Sequence, residues 1–162
     1  MTNGPTSHLD NVINIRAKTL ALLDGMDKLI DKTTDPEEWS IRDIIYHLSD
    51  TPVGGLGLLF RGMVSGDISE FDLIPDLTNV TQSRKTTTLE QARHELLGIL
   101  DEIEHVISRG SSDVFEGTTV TAHLKSRNTD ETRTLETLLR GLFARHWLSH
   151  LDQLEALTTN FK

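Results

Sequence analysis

The chain has 162 residues, enough to bury one hydrophobic core, so we expect a single domain over residues 1–162. Its 16 Lys and Arg against 25 Asp and Glu give a formal net charge of −9, which argues against binding to a nucleic-acid backbone. Cysteine is absent, which excludes disulfides, zinc–thiolate sites and a cysteine nucleophile.

The sequence gives no sign of membrane insertion or secretion. No apolar run approaches the roughly 20 residues that a membrane-spanning helix needs. The first ten residues are polar and include Pro5, and no basic region leads into an apolar one. We therefore expect a cytoplasmic protein.

The first helix is predicted by apolar residues at spacings of three and four, which direct one face at a partner helix. This stripe consists of Val12, Ile15, Thr19, Leu22, Met26 and Leu29, and it is widened by Leu23 and Ile30. The helix is therefore expected to extend to about Ile30.

The second helix has two start signals, Asp-Pro-Glu-Glu at 35–38 and a Ser-Ile-Arg-Asp capping box at 40–43. Pro52 has no N–H for the helical ladder, so we expect a kink or break between His47 and Pro52. Glycines at 54, 55 and 57 weaken the next turn, and residues 58–63 suggest that the helix resumes.

The third helix follows an irregular segment at 64–87. It opens on another capping box, Thr-Leu-Glu-Gln at 88–91, and Gly110 is a plausible stop. Its apolar stripe consists of Leu89, Ala92, Leu96, Ile99, Ile103 and Val106.

The last helix is predicted from about Thr134 to Leu157. Before it, residues 114–124 have a β-leaning composition that is compatible with a short hairpin. The two connections of about 20 residues are long for a helix bundle and can cross it. The expected fold is therefore all-α, a four-helix bundle with long crossover connections.

Three histidines are candidate metal ligands. His146 and His150 stand four apart on the last helix, which places both imidazoles on one face within reach of one ion. The alternative is two partly buried histidines bonded to neighbouring carbonyls. Leu139 and Leu142 precede the pair in one stripe, where neutral imidazoles need partners. His47 leans inward on the second helix, and three ligands from two helices leave coordination positions open for catalysis.

Two segments, about 100 residues apart, contain these histidines. They read Trp39-Ser40-Ile41-Arg42-Asp43-Ile44-Ile45-Tyr46-His47-Leu48-Ser49-Asp50 and His146-Trp147-Leu148-Ser149-His150-Leu151-Asp152-Gln153. The first resembles the tryptophan-serine to histidine-leucine segment of the DinB-like (DinB/YfiT-type) metal-binding superfamily. The second resembles that family's H-x-x-x-H signature near the C-terminus. The order and spacing of the four helices also match.

This resemblance implies a DinB/YfiT-like bundle in which His47, His146 and His150 form a metal triad. The ion in such proteins is usually zinc or nickel. Characterised relatives include thiol-dependent S-transferases and a mycothiol-dependent maleylpyruvate isomerase, which implies a low-molecular-weight thiol as co-substrate. Such bundles often pair, so a homodimer is compatible with the resemblance. This chain departs from the family at Pro52, where relatives usually continue as plain helix.

The remaining histidines are weaker candidates. His94 and His105 are separated by about 16 Å along a helix, too far to share an ion, and their charged neighbours suggest solvation. His123 lies in a connection that could approach the site from above. His8 is near an end that we expect to fray.

Three side chains could orient the ligating imidazoles, because a ligating histidine usually donates its other N–H to an oxygen. Asp43 and Asp50 flank His47, and Gln153 follows His150 by three residues. Asp43 is more simply explained as the capping residue, and Asp50 is either an orienting residue or solvated.

The leading functional hypothesis is a metal-dependent transferase that activates a small thiol. An ion with an open position can activate a bound water or thiol and polarise a carbonyl. Because the chain has no cysteine, that thiol would come from a small-molecule co-substrate. Arg42, Arg61 and Arg145 are candidate anchors for its carboxylates, or else surface charges. Two alternatives stay open: a non-catalytic, stress-related or interaction protein that holds a metal, and a metal-dependent hydrolase with a carboxylate base.

Overall fold

A computed structural model describes residues 4–162 and is mostly helical. The bundle helices are α1 (Pro5–Leu23), α2 (Ile41–Ser49), α3 (Gly55–Ser65), α4 (Leu89–Arg109) and a last helix in three parts. Those parts are α6 (Leu135–Leu138), a π-helical segment (Leu139–Arg145) and α7 (His146–Thr159). Both α1 and α2 pack against α4 and α7, and α3 packs against α4. The predicted four-helix bundle is therefore confirmed.

The first helix ends earlier than its apolar stripe predicts. Its last residue is Leu23, and the chain then turns through Gly25, whose φ of 74° favours glycine. Met26 and Ile30 are nevertheless buried in the core. Apolar spacing of three and four thus continues through a turn and a 3₁₀ segment (Asp27–Leu29), which explains why the stripe overestimates the length of the helix.

The predicted break in the second helix is confirmed. The Ser40 capping box opens α2, with Asp43 N–H donating to Ser40 Oγ over 3.2 Å and Ser40 N–H to Asp43 Oδ2 over 2.9 Å. The helix ends at Ser49, and α3 begins at Gly55. Gly55 has a φ of 86°, and a Cβ there would lie 2.8 Å from the Ser49 carbonyl oxygen, so this tight turn requires glycine.

A three-stranded sheet corrects the all-α expectation. Its strands are β1 (Glu70–Leu73), β2 (Thr119–Leu124) and β3 (Thr129–Thr134), in the order β1-β2-β3. β2 confirms the β-leaning composition of residues 119–124, whereas residues 114–117 belong to a short helix, α5 (Ser112–Gly117). The hairpin is completed by β3, which lies beyond the predicted segment. β1 pairs with β2 in parallel and lies in the segment expected to be irregular, so that expectation was wrong.

The last helix contains a wider turn just before its histidines. The π-helical segment ends at Arg145, and α7 starts at His146. Phe143, Trp147 and Leu151 are buried in the core, whereas His146 is only half-buried. The histidine stripe therefore runs along the edge of the core, and π-helical turns of this kind are frequent at functional sites. Within residues 4–162, no helix is long and apolar enough to cross a membrane.

Candidate metal centre

Three imidazoles from two helices converge at one point between α2 and α7. His47 Nε2 and His150 Nε2 each lie 3.1 Å from His146 Nε2. One nitrogen from each ring lies within 4.8 Å of the others, a grouping that could hold a metal ion. The structure thus brings together all three residues that the sequence predicts as ligands.

The outer nitrogens of two of these rings are held by oxygen acceptors. His47 Nδ1 lies 2.6 Å from the Leu77 carbonyl oxygen, and His150 Nδ1 lies 2.8 Å from Gln153 Oε1. Because these oxygens can only accept, each Nδ1 must carry the hydrogen. The neutral forms of His47 and His150 therefore direct unprotonated Nε2 lone pairs at His146.

This arrangement leaves one unfavourable contact that a cation would relieve. A neutral His146 can donate an Nε2 hydrogen to only one of its two neighbours, so the Nε2 lone pair of at least one neighbour is left without a hydrogen. Zinc binds imidazole nitrogen at about 2.0–2.1 Å, so two nitrogens on one ion are at most about 4.2 Å apart. The two separations of 3.1 Å satisfy that limit. These two pairs of nitrogens therefore suit a shared divalent ion, and the three donor atoms together lie within 4.8 Å of one another.

Burial favours the neutral forms of His146 and His47, which metal ligation requires. Burial is the main cause that lowers the pKa of His146 to about 4, and the nearby His150 and His47 contribute to the same shift. Burial also lowers the pKa of His47, opposed by its hydrogen bond to the Leu77 carbonyl. Neither ring has to lose a proton at neutral pH before it can bind an ion.

Trp39 covers one side of the histidine cluster. Its indole stacks on the His150 ring, with centroids 5.7 Å apart and planes 8° from parallel, and its centroid lies 4.8 Å from that of His47. Trp39 precedes the Ser40 cap of α2, so the start of that helix also sets the position of the indole. Trp39 is also the first residue of the segment that resembles the DinB-like family. That resemblance is the sequence signal from which its packing against the histidines could have been predicted.

The residues proposed to orient the ligands have mixed outcomes. Gln153 contacts His150 as predicted, and Asp43 is the capping residue. Asp50 instead accepts from Arg84 over 3.0 Å and from the Gly54 N–H over 2.7 Å, so its orienting role is not supported. The acceptor for His47 is the backbone carbonyl of Leu77, which no side-chain motif could identify.

The other histidines lie outside the cluster. His94 and His105 are exposed, as expected. His123 is on β2, where Nδ1 lies 2.7 Å from Asp130 Oδ1, so it does not approach the site. The expectation for His8 was wrong, because this residue is fully buried in α1, with Nε2 2.7 Å from Glu136 Oε2.

A cavity of about 650 Å³ adjoins the cluster at His146. Two basic side chains, Arg133 and Arg145, and the carboxylate of Glu131 line it. The other lining residues are polar or small, apart from one leucine: Thr132, Thr137, Gly141, Leu142 and Ser149. The last helix and the hairpin strand β3 thus form opposite parts of its wall.

Only one of the three candidate anchoring arginines lines this cavity. Arg145 does so, and it makes no ion pair with any residue that the structure describes. Arg42 is buried and binds Asp31, with its NH1 group donating to the Thr87 carbonyl, so its role is structural. Arg61 lies by a different groove, beside α4.

Comparison with known proteins supports the fold. No protein-family profile and no curated protein matches the sequence. Among solved structures, the chain is similar to YfiT from Bacillus subtilis, with a TM-score of 0.71 and 15% sequence identity. The similarity covers 97% of this chain and 87% of that one. YfiT is described as a probable metal-dependent hydrolase with an unusual four-helix bundle topology. The chain therefore has the fold of YfiT, as its sequence resemblance to the DinB/YfiT-type proteins predicts.

Proposed function

We propose that this protein is a divalent-metal-dependent enzyme that activates a small thiol at an ion held by His47, His146 and His150. The observation that carries the proposal is the convergence of three Nε2 atoms beside a cavity that contains Arg145. Imidazole donors suit zinc and nickel. When bound, such an ion would lower the pKa of a thiol or water and polarise an electrophile.

The chain's own residues supply orientation and binding. The Leu77 carbonyl and Gln153 fix the tautomers of His47 and His150. The Trp39 indole packs against His47 and His150 on one side of the cluster. Arg145 can donate two parallel hydrogen bonds to a carboxylate, which suits a thiol that carries carboxylates.

A specific observation also favours a second function, metal-dependent hydrolysis. A hydrolase needs a carboxylate that can accept a proton from water, and Glu131 lines the cavity beside His146. Its Oε2 accepts from Arg133 over 2.8 Å, which holds the carboxylate in place at the cavity. YfiT, which has the same fold, is described as a probable hydrolase. A third candidate, a bundle that holds metal without catalysis, rests on the histidine cluster alone.

One experiment separates these functions. The protein is loaded with Zn²⁺ or Ni²⁺ and assayed with small thiols against a panel of electrophiles, and separately with ester and amide substrates. Thiol conjugation without hydrolysis supports the transferase, and the reverse supports the hydrolase. If the protein binds the ion fully but is active in neither assay, the result supports the third candidate, a bundle that holds metal without catalysis.

The site assignment has its own control. His146→Ala/His150→Ala should lose the stoichiometric ion measured by elemental analysis, whereas His94→Ala/His105→Ala, which removes two exposed histidines of α4, should retain it. Equal metal content in the wild type and the first double variant would refute the ligand set.

A further inference from the structure

A second groove lies away from the histidine cluster, where α3, α4 and α5 meet. It has a volume of about 310 Å³ and shares no residue with the cavity beside His146. Val64, Val106 and Val114 form its apolar surface, and Arg61, His105 and Arg109 surround that surface with basic groups. The groove therefore combines an apolar wall with a concentration of positive charge.

The apolar wall is open to solvent. Val64 is 50% exposed and Val114 is 38% exposed. Single exposed valines are ordinary, but here they come from different elements, α3 and α5, and line the same concavity. The volume is at the lower end of the range for ligand sites, about 300–1,000 Å³, which suits a small molecule.

The basic groups are unusual because the chain is acidic, with a net charge of −9. Arg16 and Arg84 each bind two carboxylates on the bundle surface. By contrast, within residues 4–162 neither Arg61 nor Arg109 makes an ion pair, although both line the same groove. Two unpaired guanidinium groups at one concavity favour an anionic ligand.

Interaction with helix ends does not account for both arginines. Arg109 is in the last turn of α4, where a cation is stabilised by the helix dipole. Arg61 precedes the last turn of α3, which contains no basic residue. The dipole thus provides a reason for Arg109 but none for Arg61.

We propose that this groove binds a small amphipathic carboxylate, independently of the metal site. Its aliphatic or aromatic body would contact Val64, Val106 and Val114, and its carboxylate would accept hydrogen bonds from Arg61 and Arg109. Each part of such a ligand matches a feature of the groove, since burial of apolar surface supplies affinity and the guanidinium groups select the negative charge.

Binding can be tested on the metal-loaded wild-type protein with labelled valine methyl groups. Titration with octanoate should shift the Val64, Val106 and Val114 signals. Octanol, which has the same body without the charge, and acetate, which has the charge without the body, should each bind at least about tenfold more weakly, because each lacks one class of contact. Octanol that binds as tightly as octanoate, or octanoate that leaves the Val64, Val106 and Val114 signals unchanged, would overturn the proposal.

Substitutions then identify the anion-binding groups. Arg61→Gln and Arg109→Gln should each weaken octanoate binding about tenfold, the effect of losing one charge-assisted hydrogen bond. Arg93→Gln makes the same charge change on α4 outside the groove and should change affinity less than about twofold, because screening weakens distant charges. An equal loss in all three variants would indicate a general charge effect and reject the site. Both groove arginines are exposed, so the two variants should fold as the wild type does. The comparison of octanoate with octanol uses the wild-type protein and therefore tests the proposal even if a variant fails to fold.

Discussion

The amide oxygen of Gln153 lies 2.8 Å from Nδ1 of His150, one turn further along α7. This contact fixes the ring nitrogen that faces the other histidines. Removing it should therefore reduce metal affinity without removing a ligand. We expect Gln153→Ala to weaken Zn²⁺ or Ni²⁺ binding about 10–100-fold, as loss of such an orienting partner usually does.

The measurement is a competition titration against a chelator of known affinity. Gln153→Glu keeps an oxygen acceptor for the Nδ1 hydrogen and should restore most of the affinity. Gln82→Ala, an exposed change outside the site, is the matched control. If Gln153→Ala binds the ion as tightly as the wild type, the contact has no role in orienting His150.

The metal-free protein should lose stability as the pH falls below about 6.5. In the unfolded chain a histidine titrates near 6.5, whereas burial lowers the pKa of His146 in the folded protein to about 4. Between these values the unfolded state binds the proton more readily, so acid favours unfolding. Lowering the pH from 7 to 5 should cost about 2 kcal/mol through this residue.

Urea unfolding at pH 7 and pH 5 measures this loss. His146→Gln has no titratable group at this position, so its free energy of unfolding should change less between the two pH values. Burial also lowers the pKa of His47, so this residue reduces the stability of both proteins as the pH falls. The difference in pH dependence between the wild type and His146→Gln therefore isolates the effect of His146. An identical pH dependence in the two proteins would contradict a depressed pKa at His146.

Trp39 should report metal binding by fluorescence. Its indole stacks on the His150 ring, with centroids 5.7 Å apart, while the chain's other tryptophan, Trp147, is fully buried in the core. Because Ni²⁺ quenches indole emission at short range and Zn²⁺ does not, saturation with Ni²⁺ should reduce the emission of the wild type. Trp39→Phe should lose most of this response while retaining the ion.

The complementary variant tests the assignment. Trp147→Phe leaves the stacked indole in place and should keep the Ni²⁺ response. A response that persists unchanged in Trp39→Phe and is lost in Trp147→Phe would show that Trp147, which follows the ligand His146, reports the ion instead of Trp39.

The two capping boxes should contribute to stability in similar amounts but differ in their effect on the site. Thr88 accepts from Gln91 N–H over 3.1 Å at the start of α4, and Ser40 accepts from Asp43 N–H at the start of α2. Thr88→Ala and Ser40→Ala should each cost about 1 kcal/mol in free energy of unfolding.

Only Ser40 adjoins Trp39 and begins the helix that carries His47. We therefore expect Ser40→Ala to lower metal affinity as well, and Thr88→Ala to leave it unchanged. Chemical denaturation and metal titration on the same samples check both parts. Equal metal affinities in the two variants would show that the start of α2 does not affect the site.

Local signals in the sequence account for much of the fold. Each capping box opens a helix at the predicted residue, because its hydrogen bonds involve neighbours four residues apart or fewer. The break after His47 is likewise local, since Pro52 has no N–H for the helical ladder and Gly55 permits the positive φ of the turn. The β2–β3 hairpin is also a local feature, because its two strands are adjacent in the chain.

Other features depend on contacts that are distant in sequence. β1 forms because it pairs with β2, about 50 residues later; its four residues alternate charged and apolar, but so short a run does not by itself predict a strand. The burial of His8 depends on Glu136, and the tautomer of His47 depends on a backbone carbonyl at Leu77. A carbonyl is present at every position, so no residue type marks the one that contacts the ring.

The π-helical turn at Leu139–Arg145 has a consequence for insertions and deletions in the last helix. Each residue of an α-helix rotates the next side chain by about 100°. A π-helical residue rotates the chain less than an α-helical one, so the wide turn takes up about one extra residue without turning α7 away from the face set by α6. Deleting one residue from this segment should therefore restore regular α-helix and leave Trp147 in the core and the paired imidazoles at its edge. Deleting a second residue would rotate Trp147 and both imidazoles away together by about 100°.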